Sequence, residues 1–175
     1  SANRLYPKDG SLLPIGPVRD GTVVPADMFA PTATPLSAKV PVLIGHNRDE
    51  GTFSYVSDDG LYTTDDVRLI VRCRELFGNA GDRVADTYKR AFPDFTAFER
   101  LVRIGTDTSY GNGSTMLAER RADLKQAPTY FYRFDWESPA FNGKFGATHG
   151  VEVAFVNGNT REMPVLSGDR PDAHQ

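Results

Sequence analysis

The feature that most constrains the fold is a short apolar run, Val40-Pro-Val-Leu-Ile-Gly45, followed by the polar segment Asn47-Arg-Asp-Glu-Gly51. A continuous apolar run of this length is typical of a β-strand that is buried on both faces. The residues after it are turn formers. In open α/β sheets, functional groups lie beyond the carboxyl ends of the strands, so a carboxylate in this segment stands where a catalytic acid is expected.

Four helices and a second strand are predicted after this first strand. Apolar residues at helical spacing, capping residues at the starts, and Gly, Asn or Pro at the ends define the helices. They are predicted from a cap at Thr64 to Gly78-Asn79, from Gly81 to Phe92, from Thr96 to Ile104, and from a cap at Ser114 to Gln126. The second strand is Thr129–Trp136, which is rich in aromatic β-formers. Upstream of all these elements, an Asp-Gly pair predicts a β-hairpin over Val18–Val24.

A long loop then leads to a histidine within Phe145-Gly-Ala-Thr-His-Gly-Val-Glu152. A lone loop histidine is more often a structural or solvent-facing residue than a catalytic one. The small neighbours of His149 favour a functional role, because they let backbone and substrate approach closely. The order is strand, acid loop, helices, strand and histidine loop. That order is required in the later half of an α/β-hydrolase, where the acid precedes the histidine.

Four segments together resemble the type-B carboxylesterases, the family of cholinesterases and bacterial para-nitrobenzyl esterases. They are Pro17-Val-Arg-Asp-Gly21, Val24-Pro25, Asn47-Arg-Asp-Glu-Gly-Thr52 and Gly146-Ala-Thr-His-Gly-Val-Glu152, and they occur in the order of the family. The resemblance implies an α/β fold, with residues 1–175 as the C-terminal part of a single α/β-hydrolase catalytic domain without an internal boundary. The family's nucleophile serine, in a G-x-S-x-G turn, and its glycine-rich oxyanion segment are both absent from this sequence.

By this resemblance, Glu50 corresponds to the acid of a Ser-Glu-His triad and His149 to its general base. The acid would be buried and would accept a hydrogen bond from Nδ1–H of the histidine. Asp49 is the fallback acid; otherwise it is a turn residue or a partner of Arg48. The resemblance therefore implies a portion of a carboxylic-ester hydrolase that acts on a small-molecule ester. This portion would be inactive alone, and its partner would be the remaining N-terminal part of the domain.

Two further side chains are candidates for the same site. Glu152 corresponds to an acidic position near the histidine of the family, where it would bond another polar side chain. The alternative is an exposed carboxylate at a helix start, which the helix dipole favours. Phe53 is predicted to line the substrate pocket, with a place in the core as its alternative.

Three alternatives compete with this interpretation. A metal site could use His46, Glu50 and His149, but four-residue spacing across a strand end does not put side chains on one face, so no metal is predicted. Cys73 stands among apolar helical neighbours, which predicts a buried, inert thiol rather than a nucleophile. A catalytically inactive, cholinesterase-like binding or adhesion module is the third alternative. The presence of both Glu50 and His149 argues against that module, because a binder has no chemical need for the pair.

The composition bears on partners and compartment. The net charge is −3, with charges of both signs mixed, so no basic patch for nucleic acid is predicted. No apolar run approaches the roughly 20 residues that a membrane-spanning helix needs. Cys73 is the single cysteine, which favours a cytoplasmic bacterial enzyme while leaving a secreted one open. No cofactor is expected for this chemistry.

Overall fold

The computed structural model describes residues 20–24, 28–55 and 59–168 of the 175-residue chain. A π-helical segment, Asp107–Gly111, joins two of the α-helices. The regular elements, in chain order, are β1 Val42–Asn47, α1 Asp66–Phe77, α2 Gly81–Ala91, α3 Ala97–Thr106, α4 Asn112–Asp123, β2 Thr129–Phe134, α5 Glu152–Val156 and α6 Pro164–Ser167.

The two strands pair in parallel, and helices α1–α4 lie between them in the sequence. This is an α/β arrangement of mixed helices with a small parallel sheet, as predicted. Val42 lies opposite Thr129 at one end of the pair, and Asn47 lies opposite Phe134 at the other. The backbone carbonyl and the ring of Tyr132 lie very close to Gly45. A Cβ at Gly45 would collide with this residue of the neighbouring strand.

The prediction that the first strand is buried on both faces is wrong for the part of the chain that the structure describes. Leu43 of β1 is 71% exposed and Tyr130 of β2 is 60% exposed. The reason is physical: a continuous apolar run is covered only when further strands and helices flank it. Within the described residues the sheet contains these two strands alone.

The core lies among helices α1, α2 and α3. Its most deeply buried side chains are Leu69, Cys73, Leu101 and Ile104. The start of α3 is fixed by a capping box, in which Thr96 and Glu99 satisfy each other's backbone N–H groups. Within this helical layer, α3 packs against the short segment Glu50–Tyr55 that follows β1. The helices therefore hold the acid loop in place.

Three local predictions need correction. The cap of α1 is Asp65, whose side chain accepts from the amide of Arg68, and not its neighbour Thr64. Ser114 does not begin a helix, because the π-helical segment carries α3 into α4 without a break. The predicted hairpin is absent from Asp20–Val24, where Asp20 Oδ1 instead accepts three successive backbone N–H groups, while residues 18 and 19 lie outside the described part. These hydrogen bonds lower the pKa of Asp20. No helix in the described ranges is long and apolar enough to cross a membrane.

Candidate active site

Glu50 lies just beyond the carboxyl end of β1, in the turn that the apolar strand runs into. Its side chain is buried, and each carboxylate oxygen has a defined partner. Oε1 accepts from the backbone amide of Asn47 at 2.8 Å, and Oε2 faces Nδ1 of His149 at 2.7 Å. The amide of the next residue, Gly51, donates to the hydroxyl of buried Thr106 at 3.0 Å, which anchors the turn on α3.

Gly51 is the position where the acid turn meets the end of α3 most closely. A Cβ at Gly51 would collide with the carbonyl of Val102 and would lie 3.0 Å from the amide of Thr106. Only a residue without a side chain permits this approach. The glycine of the Asp-Glu-Gly segment is thus required by the close contact between the acid turn and α3.

His149 lies in the loop after β2, and its side chain remains 42% exposed. An ionised carboxylate only accepts hydrogen bonds, so Nδ1 of His149 must carry the proton that it shares with Glu50. This tautomer leaves Nε2 as the acceptor nitrogen. The pair can therefore take a proton at Nε2 and hold the resulting imidazolium beside a buried negative charge.

Asp49 does not contact His149; it supports the histidine loop instead. Its Oδ2 accepts from the backbone amide of Ala147 at 2.9 Å, and its own amide donates to the carbonyl of Ala147 at 3.0 Å. It also pairs with Arg48 at 2.9 Å, and this pairing raises the pKa of Arg48 above its ordinary value. Gly146 has a φ of +57°, and a Cβ there would lie 2.5 Å from Asp49 Oδ2.

Asn47 is a residue of this site that the sequence reasoning did not select. Its side-chain amide donates to the carbonyl of Thr148 at 2.8 Å and also to Oε2 of Glu152. With its backbone amide bonded to Glu50, Asn47 connects the acid, the histidine loop and the start of α5. The sequence feature that points to Asn47 is its place in the motif segment, directly before the acid turn. Glu152 Oε2 thus accepts from the side-chain amide of a buried residue, Asn47.

Two aromatic rings lie against the imidazole. The ring of Phe53 is tilted by 60° at a centroid distance of 5.7 Å, and it is exposed rather than part of the core. The ring of Tyr110 is nearly parallel to the imidazole, at 16° and 4.9 Å. Tyr110 belongs to the π-helical segment and to none of the motif segments, so no sequence pattern points to it.

Two residues of the alternative chemistries, His46 and Cys73, are both buried. His46 is buried, and its Nδ1 bonds the carbonyl of Asn47 rather than turning toward Glu50. Among the described residues, no cluster of three or more His, Cys, Asp or Glu side chains could hold a metal ion. Cys73 is buried in the helical core, and this burial raises the pKa of its thiol.

Comparison with known proteins agrees with the geometry. The model of the carboxylesterase family matches residues 3–172. Para-nitrobenzyl esterase of Bacillus subtilis strain 168 is 29% identical over 146 residues, which are 82% of this chain and 27% of that protein. Phenmedipham hydrolase of Pseudarthrobacter oxydans is 27% identical over 160 residues, which are 89% of this chain and 31% of that protein.

Fumonisin B1 esterase of Sphingopyxis macrogoltabida is 32% identical over 152 residues, which are 83% of this chain and 26% of that protein. The chain spans between 26% and 31% of the length of these three relatives. All three are named as esterases or hydrolases, and the family match covers almost the whole sequence. The resemblance to type-B carboxylesterases is therefore confirmed, and the chain belongs to the carboxylesterase family.

Proposed function

We propose that this chain supplies the acid and the general base of a Ser-Glu-His triad in a serine carboxylic-ester hydrolase, whose serine lies outside these residues. The observation that carries the proposal is the 2.7 Å hydrogen bond between Glu50 Oε2 and His149 Nδ1. These two side chains come from segments 99 residues apart, and each occupies its motif position. An acid that orients a histidine in this way is the arrangement that activates a serine nucleophile.

In the proposed reaction, Nε2 of His149 accepts the serine proton as the serine oxygen attacks the ester carbonyl. The imidazolium that forms is stabilised by the Glu50 carboxylate and then gives its proton to the departing alkoxide. The acyl group now on the serine is released when His149 accepts a proton from water, which attacks the acyl carbon. The proton then returns to the serine oxygen, and the acid product leaves. No cofactor takes part in these steps.

The same proposal covers the domain organisation. Residues 1–175 form the C-terminal part of one α/β-hydrolase catalytic domain without an internal boundary, and the remaining N-terminal part is the partner. The exposed apolar side chains of β1 and β2 support this, because a neighbouring strand or helix would cover them. Two buried polar atoms beside the site, Asn47 Oδ1 and Thr148 Oγ1, lack a partner within the described residues, and buried polar groups normally have one.

The substrate class follows from the family and from the surroundings of His149. Relatives are named for the hydrolysis of para-nitrobenzyl, phenmedipham and fumonisin compounds, so we propose a small-molecule ester for this enzyme. Phe53 lies beside the imidazole with an exposed face, and that face would form one wall of the substrate pocket. Glu152 and Asp49 act through the backbone and amide groups that they hold, and neither touches the substrate.

The test uses the complete polypeptide that contains this chain, with a para-nitrophenyl ester as substrate. His149→Ala and Glu50→Gln are each expected to lower kcat by about 10³- to 10⁵-fold, as the loss of a triad member does. Glu137→Gln is the matched control. It neutralises an exposed carboxylate that forms an ion pair with Arg48 and does not reach His149. A variant within about tenfold of the wild type, a barrier change near 1.4 kcal/mol, would remove that residue from the triad.

A second measurement separates the enzyme from an inactive binding module. The wild-type polypeptide is treated with a fluorophosphonate probe, and its intact mass is recorded. One added label is expected on the wild type. His149→Ala should slow the labelling, because the nucleophilic serine then lacks the base that activates it. An unlabelled and folded wild-type protein would contradict the proposal.

A further inference from the structure

We propose that Tyr110 is a positioning residue that fixes the plane of the His149 imidazole and thereby the direction of Nε2. This inference rests on the proposed function and concerns a residue outside the triad. Tyr110 is remote from the acid in the sequence and belongs to none of the motif segments. Its contact with His149 is nevertheless the closest and flattest ring contact that the imidazole makes among the described residues.

The hydrogen bond to Glu50 leaves one rotation of the His149 ring undetermined. A single hydrogen bond from Nδ1 to Glu50 Oε2 fixes the position of one edge of the imidazole. It does not fix the rotation of the ring about that bond, and χ2 of histidine is a broad torsion without sharp minima. Because Nε2 lies on the other side of the ring, such a rotation swings the acceptor nitrogen away from its target. A second contact is needed to fix the plane.

Tyr110 provides this second contact. Its ring lies over the imidazole with an interplanar angle of 16° and a centroid distance of 4.9 Å. A ring stacked in this way resists any rotation that would tilt the imidazole into it. Phe53 is tilted by 60° and touches the imidazole from a different direction, so it cannot define the plane in the same way. The Glu50 bond and the Tyr110 stack together leave the imidazole one orientation.

The backbone that carries Tyr110 is itself held in an unusual form. In the segment Asp107–Gly111 the amide of Asn112 bonds the carbonyl of Asp107, five residues back. This wider turn changes the direction of the side chains within it relative to a regular α-helix, and such turns occur frequently at functional sites. The Asp107 carboxylate accepts from the hydroxyl of Tyr88 at 2.8 Å and pairs with Arg103 at 2.9 Å, which fastens the start of the segment to α2 and α3.

The exposure of Tyr110 makes its role separable from stability. The side chain is 44% exposed and is not among the buried residues of the helical core. Its truncation should therefore cost little folding stability, while the imidazole would lose its planar neighbour. Phe95 is the matched control: it is 40% exposed and stacks on Phe92 at 5.0 Å, but it makes no ring contact with His149.

The experiment compares Tyr110→Leu, Tyr110→Phe and Phe95→Leu in the complete polypeptide, with kcat and KM measured separately. Tyr110→Leu is expected to lower kcat about 10- to 100-fold with little change in KM, because a misdirected base slows the chemistry without weakening substrate binding. Tyr110→Phe keeps the ring and should restore most of kcat. Phe95→Leu should leave kcat unchanged. Tyr110→Met is measured in parallel, so that a folding defect in the leucine variant does not decide the result.

A spectroscopic signature accompanies the kinetics. In protein labelled with ¹³C-histidine, the ring protons of His149 lie over the face of Tyr110 and should resonate upfield because of its ring current. The resonance is assigned by its loss in His149→Gln. Tyr110→Leu should move it downfield, and Tyr110→Phe should not. A structural role of Tyr110 remote from the imidazole would leave the resonance in place.

Several results would overturn the proposal. One is a kcat for Tyr110→Leu and Tyr110→Met within about threefold of the wild type, a barrier change well below 1.4 kcal/mol. Another is a raised KM at unchanged kcat, which would make Tyr110 a substrate contact instead. If His149→Ala is inactive while Tyr110→Leu is not impaired, only the present inference fails. A fully active His149→Ala enzyme overturns the proposed function and this inference with it.

Discussion

The hydrogen bond between Asn47 and Glu152 is expected to couple the effects of substitutions at these two positions on stability. Asn47 is buried, and its side-chain amide makes two hydrogen bonds, one to the carbonyl of Thr148 and one to Oε2 of Glu152. Asn47→Ala removes both bonds at once. Glu152→Ala removes only the shared bond and leaves the amide bonded to Thr148. The two substitutions therefore overlap in one interaction.

The magnitudes follow from the charge of each acceptor. A hydrogen bond to a neutral carbonyl contributes about 1 kcal/mol to the free energy of unfolding, and one to a carboxylate contributes about 2 kcal/mol. Asn47→Ala should then cost about 3 kcal/mol, and Glu152→Ala about 2 kcal/mol. The double variant should cost about 3 kcal/mol rather than about 5, because the shared bond can be lost only once. The expected coupling is about 2 kcal/mol.

The assay is urea unfolding of the complete polypeptide and the three variants, followed by tryptophan fluorescence at one pH and one protein concentration. The free energies are compared at equal m-values, so that a change in midpoint reports a change in stability. Additive costs, with a coupling below about 0.5 kcal/mol, would contradict this prediction, because they would mean that the two side chains do not interact in solution.

Two further predictions concern the loop glycines and the π-helical segment. Gly146→Ala and Gly150→Ala both place a Cβ at positive φ, but only that of Gly146 would meet the Asp49 carboxylate. Gly146→Ala should therefore lower thermal stability and kcat more than Gly150→Ala, and equal effects in kinetic and melting assays would contradict the contact. Burial, and then the bond to Asp107, raise the pKa of Tyr88 above its ordinary value. The folded state thus favours the protonated phenol. Its contribution to the free energy of unfolding is present below about pH 10 and is lost as the pH rises through the folded pKa. In unfolding experiments between about pH 9 and pH 11, Tyr88→Phe should lose less stability than the wild type; an equal loss would contradict this assignment.

The sequence predicts the elements of this fold better than it predicts their contacts. The end of α1 near Gly78, the start of α3 near Thr96 and the aromatic strand β2 all follow from signals that span a few residues. The predicted cap, Thr64, is one position before the observed cap, Asp65; both residue types are good caps, so local signals do not separate the two positions. The π-helical segment was missed because its wider turn has no distinct periodicity in the side chains.

In the candidate site too, single residues are easier to predict from the sequence than the contacts between them. Glu50 and His149 could be proposed because they lie in motifs, and Glu152 because it follows the histidine by three residues. The bond of Asp49 to Ala147 and the stack of Tyr110 on the imidazole join segments that are remote in sequence. No local pattern encodes such contacts, since each partner alone has an ordinary alternative: Asp49 as a turn residue, and Tyr110 as one more exposed aromatic side chain.

The geometry of the acid and the histidine is best understood as a consequence of strand register. Asn47 and Phe134 are paired at the same end of the two parallel strands, and the amide of Arg48 extends the pairing by donating to the carbonyl of Phe134 at 2.9 Å. Both loops therefore leave the sheet at the same end, where the first residue of the acid loop bonds the last residue of β2. A slip of one residue in either strand would send its side chains to the opposite face and would displace its loop by one residue along the edge. The 2.7 Å contact between Glu50 and His149 could not survive such a slip. The site is thus specified first by the pairing of β1 with β2, and the hydrogen bonds between the loops then hold the pair in the orientation that the register permits.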